Sequence, residues 1–249
     1  MKNITVIKFG GSLTKNKQAQ KKFIKDLAEI SKKQNIVLVH GGGPEINNLL
    51  ERLNIKSKFI NGLRYTDEKT LEVVEMALSG KVNKMLTAEL IKCGVKACGI
   101  SAKDGSIAVC KLKKELGFAG EPVKINTKLI ETLIKGGFFP VISSVGIDKQ
   151  ANAVNVNADT LATNIAVSFK ADKLIFLTDV AGVLDKNKNT IKNIKIKEIN
   201  NLIKTEVITG GMIPKIKSAA SAVKKGVKQV LIVDGSAGIK NLKGTVISK

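Results

Sequence analysis

Lys8 stands inside an apolar, β-branched run, Ile4–Phe9, and Gly10-Gly11-Ser12 follow at once. A lysine in such a run is expensive to bury unless it faces a ligand. The alternative is an edge-strand lysine pointing to water, and the neighbouring glycine pair favours the ligand. A second run, Ile36–Val39, ends at His40-Gly41-Gly42-Gly43-Pro44. Glycine lets the backbone approach an anion closely and aim N–H groups at it. A helix opening at Pro44 would add the positive end of its dipole. Two such loops, each after a strand, point to an anion site. Lys215 falls in the first turn of a helix after Gly210-Gly211-Met212-Ile213-Pro214. Alone it is ordinary, since Lys217, Lys224 and Lys225 lie close by. Asn155, Asn157 and Asp159 alternate on the approach to another helix. They read equally as a turn with an N-cap or as the lining of a cleft. Thr178–Leu184 follows a buried strand and would hold a nucleotide or make a plain turn. GxxxxGK[ST] is absent, and no GxGxxG opens a helix after a strand, so any phosphate cradle is of another type.

These residues need strands that end at one place and helices that begin there. Ala19–Lys33 is amphipathic, with Phe23, Leu27 and Ile30 on one stripe. Asp67–Cys93 reads as a long helix with an acidic opening. Ala97–Ser101, Val141–Val145, Leu174–Thr178 and Gln229–Asp234 read as buried strands. Asn155–Asp159 leads into a helix through Ala166, and Gly210–Lys225 is a further helix. Ile107–Leu112 and Pro122–Ile125, around Gly117 and Gly120, form a β-hairpin excursion near 106–125. The Lys/Asn-rich stretch Asp185–Lys197 reads as a loop with a short strand. The alternation predicts an α/β fold, a three-layer αβα sandwich around a mainly parallel open sheet. Ligands in such sheets sit at the carboxyl ends of the strands.

The chain of 249 residues carries 42 Lys and Arg against 21 Asp and Glu, a formal charge of +21. All the positive side chains but Arg52 and Arg64 are lysines, spread along the chain. With no Trp, one Tyr and no aromatic stacking motif, this charge does not describe a nucleic-acid reader. It describes a solvated surface that steers anions in a salt-dependent way. No apolar run is long enough to span a membrane, and no signal peptide is evident, so a cytoplasmic protein is expected. Cys93, Cys98 and Cys110 form no CxxC pair, and His40 is the one histidine, so a zinc site is not expected. The cysteines read as reduced thiols.

The segments KFGGS (8–12), HGGGPEIN (40–47), NGLRYTD (61–67), GKVNK (80–84), GISAKDG (99–105), NVNAD (155–159), LTDVAGVL (177–184) and GGMIPK (210–215) occur in an order that resembles the amino-acid kinase superfamily. Within it they look like the N-acetylglutamate kinases. The resemblance implies ATP-dependent phosphorylation of the side-chain carboxylate of N-acetyl-L-glutamate, in arginine biosynthesis. It implies a single kinase domain over 1–249, with an acyl-substrate lobe at 1–170 and an ATP lobe at 171–249. Lys8 and Lys215 would stabilise the transferring phosphoryl group, and Asp159 would hold both lysines. Gly42 and Gly43 would supply N–H groups near the acyl substrate, and Gly10 and Gly11 near the phosphates. Arg64 would grip a substrate carboxylate, and Asn155 would help to hold the substrate. Asp179, Val180, Ala181, Gly182, Val183, Leu184, Val207, Ile208 and Thr209 would line the ATP site, with Mg²⁺ accompanying ATP.

The chemistry agrees with these residue types. A carboxylate is already ionised and nucleophilic at neutral pH, so no general base is required. Arg64 is one of two arginines in a lysine-rich chain, and its fork suits a carboxylate as lysine would not. His40 is assigned no catalytic role. Arginine-inhibited, hexameric members of this group carry an extra helix before the first strand, which here begins almost at Met1. A homodimer without strong arginine inhibition is therefore expected. Two alternatives remain: a kinase acting on carrier-protein-bound glutamate or α-aminoadipate, and a basic non-enzymatic nucleic-acid-binding protein.

Overall fold

The β-branched runs and amphipathic stretches form strands and helices in alternation. A computed structural model describes residues 3–10, 17–178, 180–210, 212–235, 238–240 and 244–249. The chain opens with β1 (Ile4–Phe9), α1 (Lys17–Ser31), β2 (Asn35–His40) and α2 (Gly43–Arg52). A hairpin of β3 (Lys58–Ile60) and β4 (Leu63–Tyr65) leads to α3 (Glu68–Glu75), a π-helical segment (Met76–Val82) and α4 (Asn83–Lys92). Next come β5 (Ala97–Ser101), β6 (Ala108–Leu112), β7 (Ala119–Ile125), α5 (Lys128–Lys135), β8 (Phe139–Ser143), β9 (Val145–Ile147) and β10 (Ala153–Val156). Then follow α6 (Ala158–Phe169), β11 (Lys173–Thr178), β12 (Asn193–Lys195), α7 (Ile199–Lys204), α8 (Met212–Lys224), β13 (Gln229–Asp234) and β14 (Gly244–Ser248).

Two compact units result, Met1–Ile36 with Ala162–Lys249, and Val37–Leu161. The lobes implied by the resemblance divide instead at residue 170. In the first unit the strands run in the order β12-β14-β13-β11-β1. β1, β11 and β13 are parallel, and β14 is antiparallel to β13. Their register sets Lys8 beside Phe176 and Thr178 beside Asp234. Phe23 and Leu27 of α1 are fully buried, and the Phe23 ring lies 5.0 Å from that of Phe9. Each such side chain contributes about 1.5–3 kcal/mol by leaving water. α1 therefore packs through the stripe its periodicity predicted, with Ile30 half-buried at its end.

The second unit holds a parallel ladder, β2-β8-β5, and a closed barrel, β10-β7-β6-β9. The expected hairpin is present as β6 and β7, but it is half of that barrel. Of the other two strands, β9 begins at the end of an apolar run that reads as one strand. Val141–Val145 is not one strand: the chain breaks at Ser144 into β8 and β9, and the Ser144 carbonyl accepts a hydrogen bond from Val156 N–H at 3.1 Å. The helix expected over Asp67–Cys93 also needs correction. Asp67 caps α3 by accepting from the Thr70 N–H at 2.8 Å, yet the helix widens to π geometry at Met76–Val82 before α4 begins. Ala77, Leu78 and Val82 are all buried there. The core beneath comprises Ile46, Leu50, Val73, Val74, Ala77, Leu78, Val145 and Ala153. Cys93, Cys98 and Cys110 are free thiols, and burial pushes Cys110 up to about 12.

Candidate active site

In the unit Val37–Leu161, β2 delivers the glycine loop to the start of α2. Gly42 is the cap residue and Gly43 the first helical residue. No side chain caps this terminus, so the N–H groups of its first turn point outward for a ligand. A Cβ on Gly42 would lie 2.7 Å from Leu78 Cδ2 and 3.2 Å from Val82 Cγ2. Only glycine lets the loop lie this close to the π-helical segment. A Cβ on Gly41 would lie 3.2 Å from that of Ala158, the residue before Asp159. Asp159 is half-buried in the first turn of α6, where the helix dipole favours a carboxylate. Asn157 precedes the helix and accepts from the Thr160 N–H at 3.1 Å, so the turn-and-cap reading of this cluster holds for Asn157.

Arg64 is buried in β4. Its Nη1 donates to Ser57 Oγ and its Nη2 to Asn47 Oδ1 at 2.6 Å. The guanidinium also stacks 4.7 Å from the centroid of the Phe59 ring. Burial lowers its pKa from the ordinary value, and an arginine in this state is still a cation. Two of its five donors are used by these partners, leaving a planar fork for a carboxylate. Asn155 Nδ2 donates to Thr66 Oγ1 at 2.9 Å, and Thr66 Oγ1 donates to the Arg64 carbonyl at 3.1 Å. Arg64 and Asn155 are thus brought together through Thr66, a residue that sequence reasoning passed over inside the NGLRYTD segment.

In the other unit, Lys8 is the one half-buried residue of a strand that is otherwise buried. A Cβ on Gly10 would sit 2.8 Å from the Leu177 carbonyl and 3.5 Å from Lys8 Nζ. The glycine thereby keeps open the space into which the ammonium folds. Lys215 Nζ lies 5.5 Å from the centroid of the Phe176 ring, and Phe176 is the register partner of Lys8. Phe176 is therefore the shared neighbour of both lysines. Gly11 and Asp179 lie outside the described residues.

Val180 and Ala181 follow β11 as a partly exposed turn. Gly182 then has φ 136°, a backbone that favours glycine, and a Cβ there would meet Thr245 Oγ1 at 2.7 Å. Thr245 clamps this turn. It accepts from the Val183 N–H at 2.8 Å and donates to the Ile191 carbonyl at 2.7 Å. Leu184 is exposed and bridges to Thr190. Nothing in the sequence marks Thr245, a threonine near the chain end with no motif around it. Val207 and Ile208 are held by α7, both N–H groups donating to the Leu202 carbonyl at 3.0 Å, and Thr209 is exposed. A cavity of about 520 Å³ lined by Ile191, Asn193, Ile194, Lys197, Glu198, Asn201 and Leu202 contains none of the predicted site residues.

Gly10 and the Lys8 and Lys215 ammonium groups lie in one unit, and the Gly41–Gly43 loop and the Arg64 guanidinium lie in the other. The model of the amino acid kinase family matches residues 3–234, and this chain belongs to that family. It is 64% identical to the acetylglutamate kinase of Endomicrobium trichonymphae over 249 residues, the whole of both chains. It is 44% identical to the acetylglutamate kinase of Clostridium acetobutylicum over 261 residues, covering 98% of this chain and 88% of that relative. A crystal structure of a Streptococcus mutans UA159 protein superposes with a TM-score of 0.85 at 37% identity, covering 100% of this chain and 99% of that one.

Proposed function

We propose that this protein transfers the γ-phosphoryl group of ATP to the side-chain carboxylate of N-acetyl-L-glutamate, in arginine biosynthesis. The observation that carries this reading is the 64% identity to an acetylglutamate kinase over the full length of both chains. A carboxylate oxygen attacks the γ-phosphorus, the bond from phosphorus to the bridging oxygen breaks, and ADP leaves with that oxygen. The products are an acyl phosphate and ADP, and no proton needs to be removed from the nucleophile. Catalysis is then positioning and charge neutralisation.

We assign the transferring phosphoryl group to Lys8 and Lys215, with Asp159 as an orienting carboxylate. Gly42 and Gly43 offer N–H groups to the acyl substrate, Gly10 and Gly11 to the phosphates. Arg64 and Asn155 bind the substrate, with the Arg64 fork on a carboxylate that is not the reacting one. Asp179–Leu184 and Val207–Thr209 are assigned to ATP. Among the described residues no group of three or more His, Cys, Asp or Glu could hold a metal ion. Mg²⁺ is accordingly assigned to the phosphates of ATP, where it would neutralise charge beside the two lysines.

A homodimer in the cytoplasm is the assembly and location we propose. Among the described residues no helix is long and apolar enough to cross a membrane. Light scattering tests the assembly, and a mass of one chain overturns the dimer.

The reaction is tested by trapping the acyl phosphate. Purified protein, ATP, Mg²⁺ and hydroxylamine are mixed separately with N-acetylglutamate, glutamate, aspartate and acetylated aminoadipate. Hydroxamate is expected from N-acetylglutamate alone. If no free acid yields product, the substrate assignment fails and a carrier-bound glutamate or aminoadipate is tested next.

A further inference from the structure

His40 is fully buried one residue before the glycine loop, and the mechanism above gives it nothing to do. Its surroundings nevertheless dictate its protonation. Nδ1 lies 2.9 Å from the Gly41 carbonyl oxygen, which can only accept, so Nδ1 carries a proton. Nε2 lies 3.1 Å from Asn83 Nδ2. The orientation of that buried amide is set by its other partners. Asn83 Nδ2 also faces the carbonyls of Val141 at 2.9 Å and Ile100 at 3.1 Å, while Lys84 Nζ donates to Asn83 Oδ1 at 3.1 Å. The end facing two carbonyls is therefore the NH₂ group, whose two hydrogens are shared among three acceptors, and Nε2, facing a donor, carries no proton. Two independent contacts select one neutral tautomer.

The consequence passes through one rigid bond. The Gly41–Gly42 peptide is planar and trans, so its C=O and N–H point in opposite directions. Holding the Gly41 carbonyl toward the imidazole sets the direction of the Gly42 N–H. The other end of that peptide is braced as well, because the Gly42 Cα lies against Leu78 and Val82 of the π-helical segment. Ser79 Oγ, in the same segment, lies 2.8 Å from Ser143 Oγ at the end of β8 and ties the brace to the ladder.

We propose that His40 is a positioning residue: locked as the Nδ1–H tautomer by Asn83, it anchors the Gly41 carbonyl and so aims the Gly42 N–H at the acyl substrate. This rests on the reading of Gly42 as a substrate donor given above. It also accounts for a buried asparagine in the middle of a helical stretch, since Asn83 is 0% exposed and its amide links α4, β2, β5 and β8. Burial holds the imidazole down at about 4, with its Gly41 hydrogen bond opposing and the Lys84 charge adding to the effect. The ring is accordingly neutral near pH 7.

The single histidine makes the test spectroscopic. A long-range ¹⁵N–¹H correlation of the imidazole in the intact protein is expected to show a protonated Nδ1 and a bare Nε2. The pattern should be unchanged from about pH 8 to about pH 5, where an ordinary histidine would titrate. A proton on Nε2, or two exchanging tautomers, overturns the proposal. That readout needs no turnover, so it is independent of the reaction assignment, which the hydroxamate trap on unaltered protein decides. Kinetics complete the test. His40→Leu removes the donor, whereas His40→Asn places an amide N–H near the Nδ1 position. His40→Leu is expected to lower kcat by roughly tenfold to a hundredfold, with KM for ATP unchanged and His40→Asn recovering most of the loss. Equal losses in both variants that track their melting temperatures, or no loss in His40→Leu, reduce His40 to a packing residue and overturn the role.

Discussion

In the unit Val37–Leu161 the polar groups of the site hold one another. Arg64 is gripped by Ser57 and Asn47, Asn155 by Thr66, and His40 by Asn83. In the unit of Met1–Ile36 and Ala162–Lys249 they are set by the ends of strands and helices. Lys8 projects from β1 past a glycine, Lys215 sits in the first turn of α8, and the turn after β11 is clamped through its backbone by Thr245. On the roles proposed above, the difference would follow the chemistry of the two substrates. A carboxylic acid of one shape is recognised by a planar fork whose orientation must be fixed in advance. A polyphosphate spreads its charge over many oxygens, and compact ammonium groups suit it. On the roles proposed above, the first set of groups would serve discrimination and the second charge.

The sharpest way to break this comparison is to remove a charge proposed for the phosphates. Lys8→Ala is expected to lower kcat about a thousandfold, close to 4 kcal/mol of lost transition-state stabilisation. Its melting temperature should stay near that of the parent protein, because the ammonium is not part of the core. A loss of less than tenfold in a steady-state assay would take Lys8 out of the site.

The next effect belongs to the first set of groups and is read as stability against pH. His40 has a folded pKa of about 4 against an ordinary value of 6.5. Between those values the unfolded chain binds more protons than the folded one, so stability falls as pH is lowered through that window. Above the ordinary value this contribution is constant. Across the window the loss is roughly 3 kcal/mol. Urea melts between neutral and acid pH measure it, and in His40→Asn this component of the slope should vanish. An identical slope in that variant would refute the assignment to His40.

Thr245→Val tests whether the nucleotide turn is clamped from outside. The change keeps the shape and leaves the Val183 N–H and the Ile191 carbonyl without their hydroxyl partner, at a cost of about 1–3 kcal/mol. The KM for ATP should rise while that for the acyl substrate stays. A chemical melt and two substrate titrations decide it, and an unchanged melt would show that water replaces the hydroxyl at no cost.

The smallest effect asks whether Arg64 is a fork or only a charge. Arg64→Lys keeps the positive charge and loses the paired bonds to Ser57 and Asn47. The expected outcome is a KM for the acyl substrate raised roughly tenfold, about 1.4 kcal/mol, with kcat little changed. A lysine that serves as well would erase the contrast between the two sets of groups.

Much of this was legible from residue types alone. Lys8 in an apolar strand, Gly10 after β1, the glycine loop after β2 and the arginine of NGLRYTD are local signals, legible from residue type and spacing. The class of fold was equally local, because the alternation of β-branched runs with amphipathic helices leaves few options but mainly parallel ladders covered by helices. Those properties depend on period and composition within about ten residues of one another.

What the sequence could not decide depends on residues far apart in the chain. The barrel pairs β7 with β10 across more than thirty positions, at Ala119–Asn155, and hides a strand break at Ser144 inside an apolar run. The π-helical segment meets Gly42 through Leu78 and Val82, more than thirty positions further along the chain. Thr245 reaches back 62 positions to Val183, and Asn83 reaches 43 positions to His40. A side chain that acts by holding another residue in place carries no signature of its own, since its partner is named only when the chain has folded. Sequence by itself therefore offered the groups proposed for the chemistry, and tertiary structure decided which side chains hold them or their neighbours.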